Sequence, residues 1–151
     1  LYVDEVNGHI LGCANLNHVQ PPEYGSISWT IQAKPKQVLV IHTLCIRPEC
    51  AGGGRGRRFV AFAEGLATGQ GCRVIRLDTY EGNAPAAAFY PKLGYRLAGS
   101  AEFFFEGFAR ENLICFEKEL RGGADRPAGN RRPGTAAPAM PSTASASAET
   151  P

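Results

Sequence analysis

The sequence predicts an α/β fold, a mixed sheet flanked by helices. Three observations predict it. A strongly apolar run, Gln37–Ile46, leads through the turn Gly52-Gly53-Gly54-Arg55-Gly56 into a helix-like run. A second apolar run, Val74–Thr79, follows, so strand, crossover helix and strand make a right-handed parallel unit. Apolar runs around Asn7-Gly8 and alternating segments near residue 110 read as two hairpins.

Each element has a local reason. Leu1–Val6 and His9–Leu16 are strands joined by a type I′ turn, the turn that Asn-Gly favours. Gln20–Gly25 is a loop, Ser26–Ile31 a short strand or an irregular segment, and Ala33–Lys36 a second turn. Arg47-Pro48 ends the third strand, because the residue before proline is held out of the helical region. The next helix runs from Arg55 to about Thr68. Its Phe59, Phe62, Ala63, Leu66 and Ala67 recur at i, i+3, i+4, i+7 and i+8 as a sheet-facing stripe. Asn83 caps a short helix from Ala84 to about Leu93, stopped by Gly94. Pro91 inside that helix removes one hydrogen bond and predicts a distortion over Ala87–Pro91. Ala101–Phe105 and Glu111–Leu120 close a hairpin about Glu106-Gly107.

Charge divides the 151 residues in two. The whole net charge of +2 sits beyond Leu120, where Arg121, Arg126, Arg131 and Arg132 face Asp125 and Glu149. The neutral body, residues 1–120, argues against a nucleic-acid partner. Residues 121–151 contain no Leu, Ile, Val, Phe, Tyr or Trp and are expected to be a disordered tail. No apolar run approaches the roughly 18 residues of a membrane span, so no membrane role is expected. Five cysteines, an odd count with no Cys-x-x-Cys pair, suit a reducing, cytoplasmic setting. Cys13, Cys45 and Cys115 lie in apolar runs and are expected to be buried. His9, His18 and His42 are too scattered to argue a metal site.

The glycine-rich turn is the main functional signal. Free amides at a helix start favour an anion, and glycines let a ligand approach the backbone. A dinucleotide fingerprint fails, since its third glycine would fall at Phe59 or Arg57. A phosphate-binding lysine loop fails because no lysine lies near. Among groups able to take a proton, His42, Asp78 and Glu81 lie on or beside the central strands. His42 shares alternate positions with Val40 and Leu44, so a hydrogen-bonded core histidine competes with a base. Asp78 has the opposite parity from Leu77 and Thr79, facing either a cleft or a helix.

The segment Ile46–Arg57 resembles the pyrophosphate-binding motif Gln/Arg-x-x-Gly-x-Gly/Ala of the GNAT acyl-CoA N-acyltransferase superfamily. Gly54 and Gly56 match, and Ala51 replaces the first polar residue. Asn83-x-x-Ala86-x-x-Phe89-Tyr90-x-x-Leu93-Gly94-Tyr95 is similar to the family's second signature, as is Leu77-Asp78-Thr79 before it. The resemblance covers residues 1–120 and begins near the family's second strand. It implies a domain lacking the first strand and first two helices, with a free sheet edge that could pair in a homodimer.

The resemblance also implies a mostly antiparallel sheet with a splayed central parallel pair. The implied reaction moves an acetyl group from acetyl-CoA, as co-substrate and without a metal, to a primary amine of a small molecule or peptide by direct attack in a ternary complex. An acyl-CoA-binding domain with weak turnover is the alternative. Ala51, Gly52, Gly53, Gly54, Arg55 and Gly56 would hold the diphosphate, with Arg57 and Arg58 nearby. Leu44, Cys45 and Ile46 would pair with the pantetheine arm beside Asn83 and Ala86, and the Ile46 N–H would polarise the thioester carbonyl. Tyr90 would be the general acid. Read without the motif, it is a helix tyrosine packed on the sheet, as Asn83 is simply a cap. Glu23, Tyr24, Trp29, Glu106 and Phe108 would line the acceptor side, or Trp29 would instead fill a loop core.

Overall fold

A computed structural model describes residues 1–105 and 109–120. The expected turn at Glu106-Gly107, Phe108 and the tail 121–151 lie outside the described residues. Strands β1 (Tyr2–Val6), β2 (His9–Asn17), β3 (Val38–Ile46), β4 (Val74–Tyr80), β5 (Arg96–Phe105) and β6 (Ala109–Glu119) form one sheet in the order β1-β2-β3-β4-β6-β5. Only β3 and β4 are parallel; the other neighbours are antiparallel. This is the mixed, mostly antiparallel sheet that the sequence predicts.

Asn7 and Gly8 take φ of 52° and 78°, the left-handed pair that a type I′ turn requires. Helix α1 (Arg55–Gly69) buries Phe59, Val60, Ala63 and Ala67 on the sheet, with Phe62 and Leu66 half-buried beside them. Helix α2 is Ala84–Phe89, shorter than expected. Pro91 has no N–H to continue it, and Pro91–Leu93 forms a separate 3-10 turn. Tyr90 between them keeps helical angles (φ −64°, ψ −40°), and its N–H donates to Ala86 O at 3.2 Å. The proline thus changes the type of helix without displacing Tyr90 from its register.

The two faces of the sheet are covered differently. The helix face packs Leu39, Ile41, Ile75, Leu77 and Phe116 under α1 and α2. The other face packs Val38, Val40, Val74, Leu113 and Cys115 under Tyr24 and Ile27 of the β2–β3 connection. That connection holds a 3-10 turn at Pro22–Ser26, and Ser26–Ile31 is irregular rather than a strand. Cys72 and Cys115 are buried, but Cys13 is half-buried and Cys45 exposed, correcting the expectation for both. Their positions face the side of β2 and β3 that no helix covers.

Buried charge fastens the connection to the sheet. The Glu117 side chain is fully buried and accepts from Thr30 N (2.9 Å), Thr30 Oγ1 (3.1 Å), Ile31 N (3.3 Å) and Arg96 Nη2 (2.5 Å). Its cross-strand neighbour Arg76 donates to Gln20 Oε1 (2.6 Å) and Ile31 O (2.9 Å) and lies 4.3 Å from the Trp29 ring. Burial lowers the Arg76 pKa and Glu117 opposes that shift. Glu117→Ala strands the buried Arg76 charge and the donors of Thr30, Ile31 and Arg96, and is expected to lower unfolding free energy in urea by about 3 kcal/mol. A loss within error would show that the connection is held by its apolar contacts alone.

Candidate active site

The site begins where β3 leaves β4. The parallel register runs from Val38↔Val74 to Ile41↔Leu77 and stops. Between β2 and β3, Asn15 pairs with Thr43 and Leu16 with Ile41, so His42 is an extra, bulged residue. A bulge flips parity. Leu39 and Ile41 face the helices, and beyond the bulge Leu44 and Ile46 do so. His42 therefore does not share a face with Leu44, as simple alternation suggested.

The same bulge sets the amides. Arg47 N donates to Leu11 O at 2.9 Å. Alternation in an antiparallel pair then turns the Cys45 and Thr43 amides toward β2, and those of Leu44 and Ile46 into the gap. The expected contribution of a Cys45 amide to a ligand is thus corrected: that amide runs toward β2.

The glycine turn stands at the mouth of the same gap. Gly52 and Gly54 have φ of 80° and 77°, a region that other residues enter with strain. Arg58 N makes the first bond of α1, to Gly54 O at 3.1 Å. Among the described residues, the amides of Gly52, Gly53, Gly54, Arg55, Gly56 and Arg57 have no protein acceptor. Two expectations need correction here. The Ala51 amide is committed to Pro48 O at 3.1 Å, because Pro48–Cys50 closes a 3-10 turn on it. Arg55 is paired, Nη1 to Asp4 Oδ2 at 2.6 Å, with both side chains largely buried. Arg57 and Arg58 are exposed, and Arg57 borders the cleft.

That cleft has a volume of about 510 Å³ and reaches from the glycine turn past Leu44 and Ile46 to Asn83, Ala86, Phe89 and Tyr90. Gly56 allows α1 to meet α2: a Cβ there would stand 3.3 Å from Phe89 Cζ. Asn83 caps α2, its Oδ1 accepting from Ala86 N at 3.2 Å while Nδ2 donates to Thr79 Oγ1 at 3.3 Å. Both its amide atoms therefore have protein partners, as the cap reading expects.

The Tyr90 ring is packed by Phe89, Tyr95 and Phe116 and is 6% exposed. Burial first, then Asp78 and Cys45, push its pKa up to about 12. The phenol accordingly stays protonated at neutral pH and lies within electrostatic reach of residues from both strands of the split.

The opposite face of the split holds the carboxylates. Asp78, the first β4 residue past the last parallel pair, faces Tyr24 and His42 rather than a helix. Tyr24 donates its hydroxyl to Asp78 Oδ2 at 2.7 Å. Burial raises the Asp78 pKa, the Tyr24 bond and His42 lower it, and Glu23 raises it. Burial, then Asp78, pushes the Tyr24 phenol far above its ordinary value. His42 Nε2 lies 2.8 Å from Asn17 Oδ1. That oxygen already accepts from Val19 N, so Nε2 carries the proton and Nδ1 is left as an acceptor.

Glu23 and Tyr24 lie on this face, and Trp29 fills the core of the connection, its Nε1 donating to Tyr24 O at 2.8 Å and its ring lying over Arg76. Glu81 does not lie on this face: it is exposed and borders a separate hollow with Tyr80 and Arg110. Among the described residues no three His, Cys, Asp or Glu side chains are grouped as metal ligands. Sequence reasoning missed the bulge and the Tyr24–Asp78 bond, which joins residues 54 positions apart and leaves no local signal.

Comparisons with known proteins bear on this geometry. The acetyltransferase (GNAT) family model matches residues 1–95. No curated protein matches the chain. Among solved structures, an N-acetyltransferase from Staphylococcus aureus Mu50 is similar with a TM-score of 0.61 at 17% identity, covering 79% of this chain and 66% of that one. Nourseothricin acetyltransferase is similar with a TM-score of 0.60 at 21% identity, covering 76% and 60%. The Salmonella typhimurium protein yncA, solved with its cofactor acetyl-CoA, gives 0.60 at 18% identity over 84% and 68%. The chain thus spans 60% of the length of one of these proteins and 68% of another. At such identities the likeness establishes the fold.

Two outcomes follow from the geometry. An ultraviolet titration of wild type against Tyr90→Phe is expected to assign a phenol ionising at about pH 12, and an ionisation near the ordinary tyrosine value would contradict the packing described. Gly54→Ala is expected to cost about 1 kcal/mol in urea unfolding, from forcing an L-residue into the left-handed region.

Proposed function

This chain belongs to the acetyltransferase (GNAT) family, and we propose that it moves an acetyl group from acetyl-CoA to a primary amine of a small molecule or peptide, by direct attack in a ternary complex. The observation that carries the reading is the run of uncommitted amides from Gly52 to Arg57 at the mouth of a cleft walled by a bare strand edge.

Bound acetyl-CoA supplies an activated acyl carbon and a thiolate leaving group. The six amides and the Arg57 guanidinium suit its diphosphate, because an anion at a helix start meets N–H dipoles and the positive end of the helix. The Leu44 and Ile46 amides suit an extended arm that carries amides of its own, which adds to an open edge as a strand does. An amide held against the acyl oxygen stabilises the charge that develops there. Tyr90, protonated at neutral pH, gives a proton to the departing sulfur. Asp78 takes the proton that the amine must lose, being the first β4 carboxylate past the split; His42 Nδ1 is the second acceptor in reach of that position. Asp78 and Glu23 favour a cationic amine on this face.

A catalytically weak acyl-CoA-binding or regulatory domain of the same fold is the second reading. It is favoured by the commitment of the Ala51 amide and of Arg55, two groups withdrawn from the diphosphate. Calorimetry with acetyl-CoA and a thiol-release assay over an amine panel separate the readings. Binding with thiol release supports the transferase, binding without release selects the second reading, and no binding removes both. In an active preparation, Tyr90→Phe is expected to keep its fold and lose about 100-fold in kcat. Wild-type turnover in that variant would end the acid role.

A further inference from the structure

One contact on the acceptor face is unused by the chemistry above. Tyr24 belongs to the 3-10 turn Pro22–Ser26 and is 3% exposed. Its hydroxyl donates to Asp78 Oδ2 at 2.7 Å. The ring is itself held, at 4.9 Å from the Trp29 ring and 6.1 Å from that of Phe103. Its carbonyl oxygen accepts from Trp29 Nε1, and Trp29 in turn lies over Arg76 of β4. Just beyond Trp29, Thr30 and Ile31 are bonded to Glu117 of β6. The hydroxyl is therefore placed by anchors on β4, β5 and β6, all outside the split.

Asp78 is surrounded by titratable groups from several elements. His42 comes from β3, Glu23 from the same turn as Tyr24, Cys115 from β6 and Tyr90 from the end of α2. Among the described residues, the hydrogen bond to its carboxylate comes from Tyr24. A phenol O–H donates to a carboxylate and favours its charged form.

Resting on the reading of Asp78 as the group that takes the amine proton, we propose that Tyr24 is the positioning residue of that step: its hydroxyl ties down Oδ2 and leaves Oδ1 to face the amine. An incoming ammonium gives one proton to Oδ1 and becomes a neutral nucleophile. Its nitrogen forms the C–N bond as the C–S bond breaks, and the sulfur takes the Tyr90 proton. The second nitrogen proton restores the phenol through water, and Asp78 returns its own proton to solvent. Tyr24 touches neither the substrate nor the reacting atoms. It fixes which carboxylate oxygen is presented and keeps that carboxylate ionised against the opposing effects of burial and Glu23.

The test uses the full chain. The sequence has three aspartates, Asp4, Asp78 and Asp125, so carboxyl-carbon NMR of aspartate-labelled protein isolates Asp78, assigned by Asp78→Asn. Tyr24→Phe keeps the ring and removes the donor. Its expected signature is an upward move of the Asp78 titration midpoint at unchanged Tm.

In turnover with putrescine, 2-phenylethylamine and an alanine-starting peptide as acceptors, the rising limb of kcat/KM moves to higher pH in the same variant. The loss is about tenfold on the acid side of that limb and recovers on its alkaline side. If Tyr24→Phe unfolds, 3-fluorotyrosine at position 24 is the second variant; as a stronger donor of the same shape, it moves the midpoint down. A folded variant with an unmoved midpoint overturns the positioning role. Asp78→Asn with wild-type turnover instead overturns the base assignment beneath it, and the two failures are read from different variants.

Discussion

The parting of β3 from β4 after Ile41↔Leu77 is the constraint on which the site depends. Two parallel strands in a sheet centre ordinarily satisfy each other's backbone. Here the extra residue at His42 bends β3 away and frees a stretch of edge. An unpaired edge in a protein interior is costly unless a ligand or water satisfies it. The cleft beside Leu44 and Ile46 gives that edge access to both. The bulge therefore does two things at once. It opens the cleft, and by reversing parity it turns Leu44 and Ile46 toward the helices while His42 stays with Asp78.

This reversal divides the chemistry between the faces of the sheet. On the helix face, backbone dipoles of the glycine turn, Arg57 and the Tyr90 phenol line a path suited to an anionic, extended ligand. On the other face, Asp78, Glu23, Tyr24 and His42 gather carboxylates and aromatic groups, with no helix over them. The faces communicate only through the gap. Tyr90 approaches it from one side and Asp78 from the other, and the Asp78 charge helps to raise the Tyr90 pKa. The proposed acid and the proposed base thus stand on opposite sides of one opening.

The β2–β3 connection is more than a link between strands. Glu117 and Arg76, both buried, are bonded to its backbone at Thr30 and Ile31, and its Tyr24 reaches Asp78. Burying such charges is costly unless partners are in place. Here the partners belong to the connection or to neighbouring strands, and Arg76 Nε alone of this pair's polar atoms is buried without one. The polar network consequently ties the geometry of one catalytic candidate to the middle of the sheet.

Local chemistry was sufficient for much of this. Asn7-Gly8 specified its hairpin, the stripe on α1 specified a sheet-facing helix, and glycines at 52, 54 and 56 marked the turn with free amides. Each acts within a few residues through φ, periodicity or absent side chains. Tertiary packing decided the rest. Whether Arg55 meets a ligand or Asp4 depends on where β1 passes over α1. Whether Leu44 or His42 looks into the cleft depends on one bulge that no residue type announces, and whether Asp78 meets a helix or Tyr24 depends on which element packs over its face of β4. By itself the sequence determined most of the elements and the glycine turn, because those are short-range. Only the tertiary structure assigned amides and side chains to a face, because register and bulge are set by strands far apart in the chain.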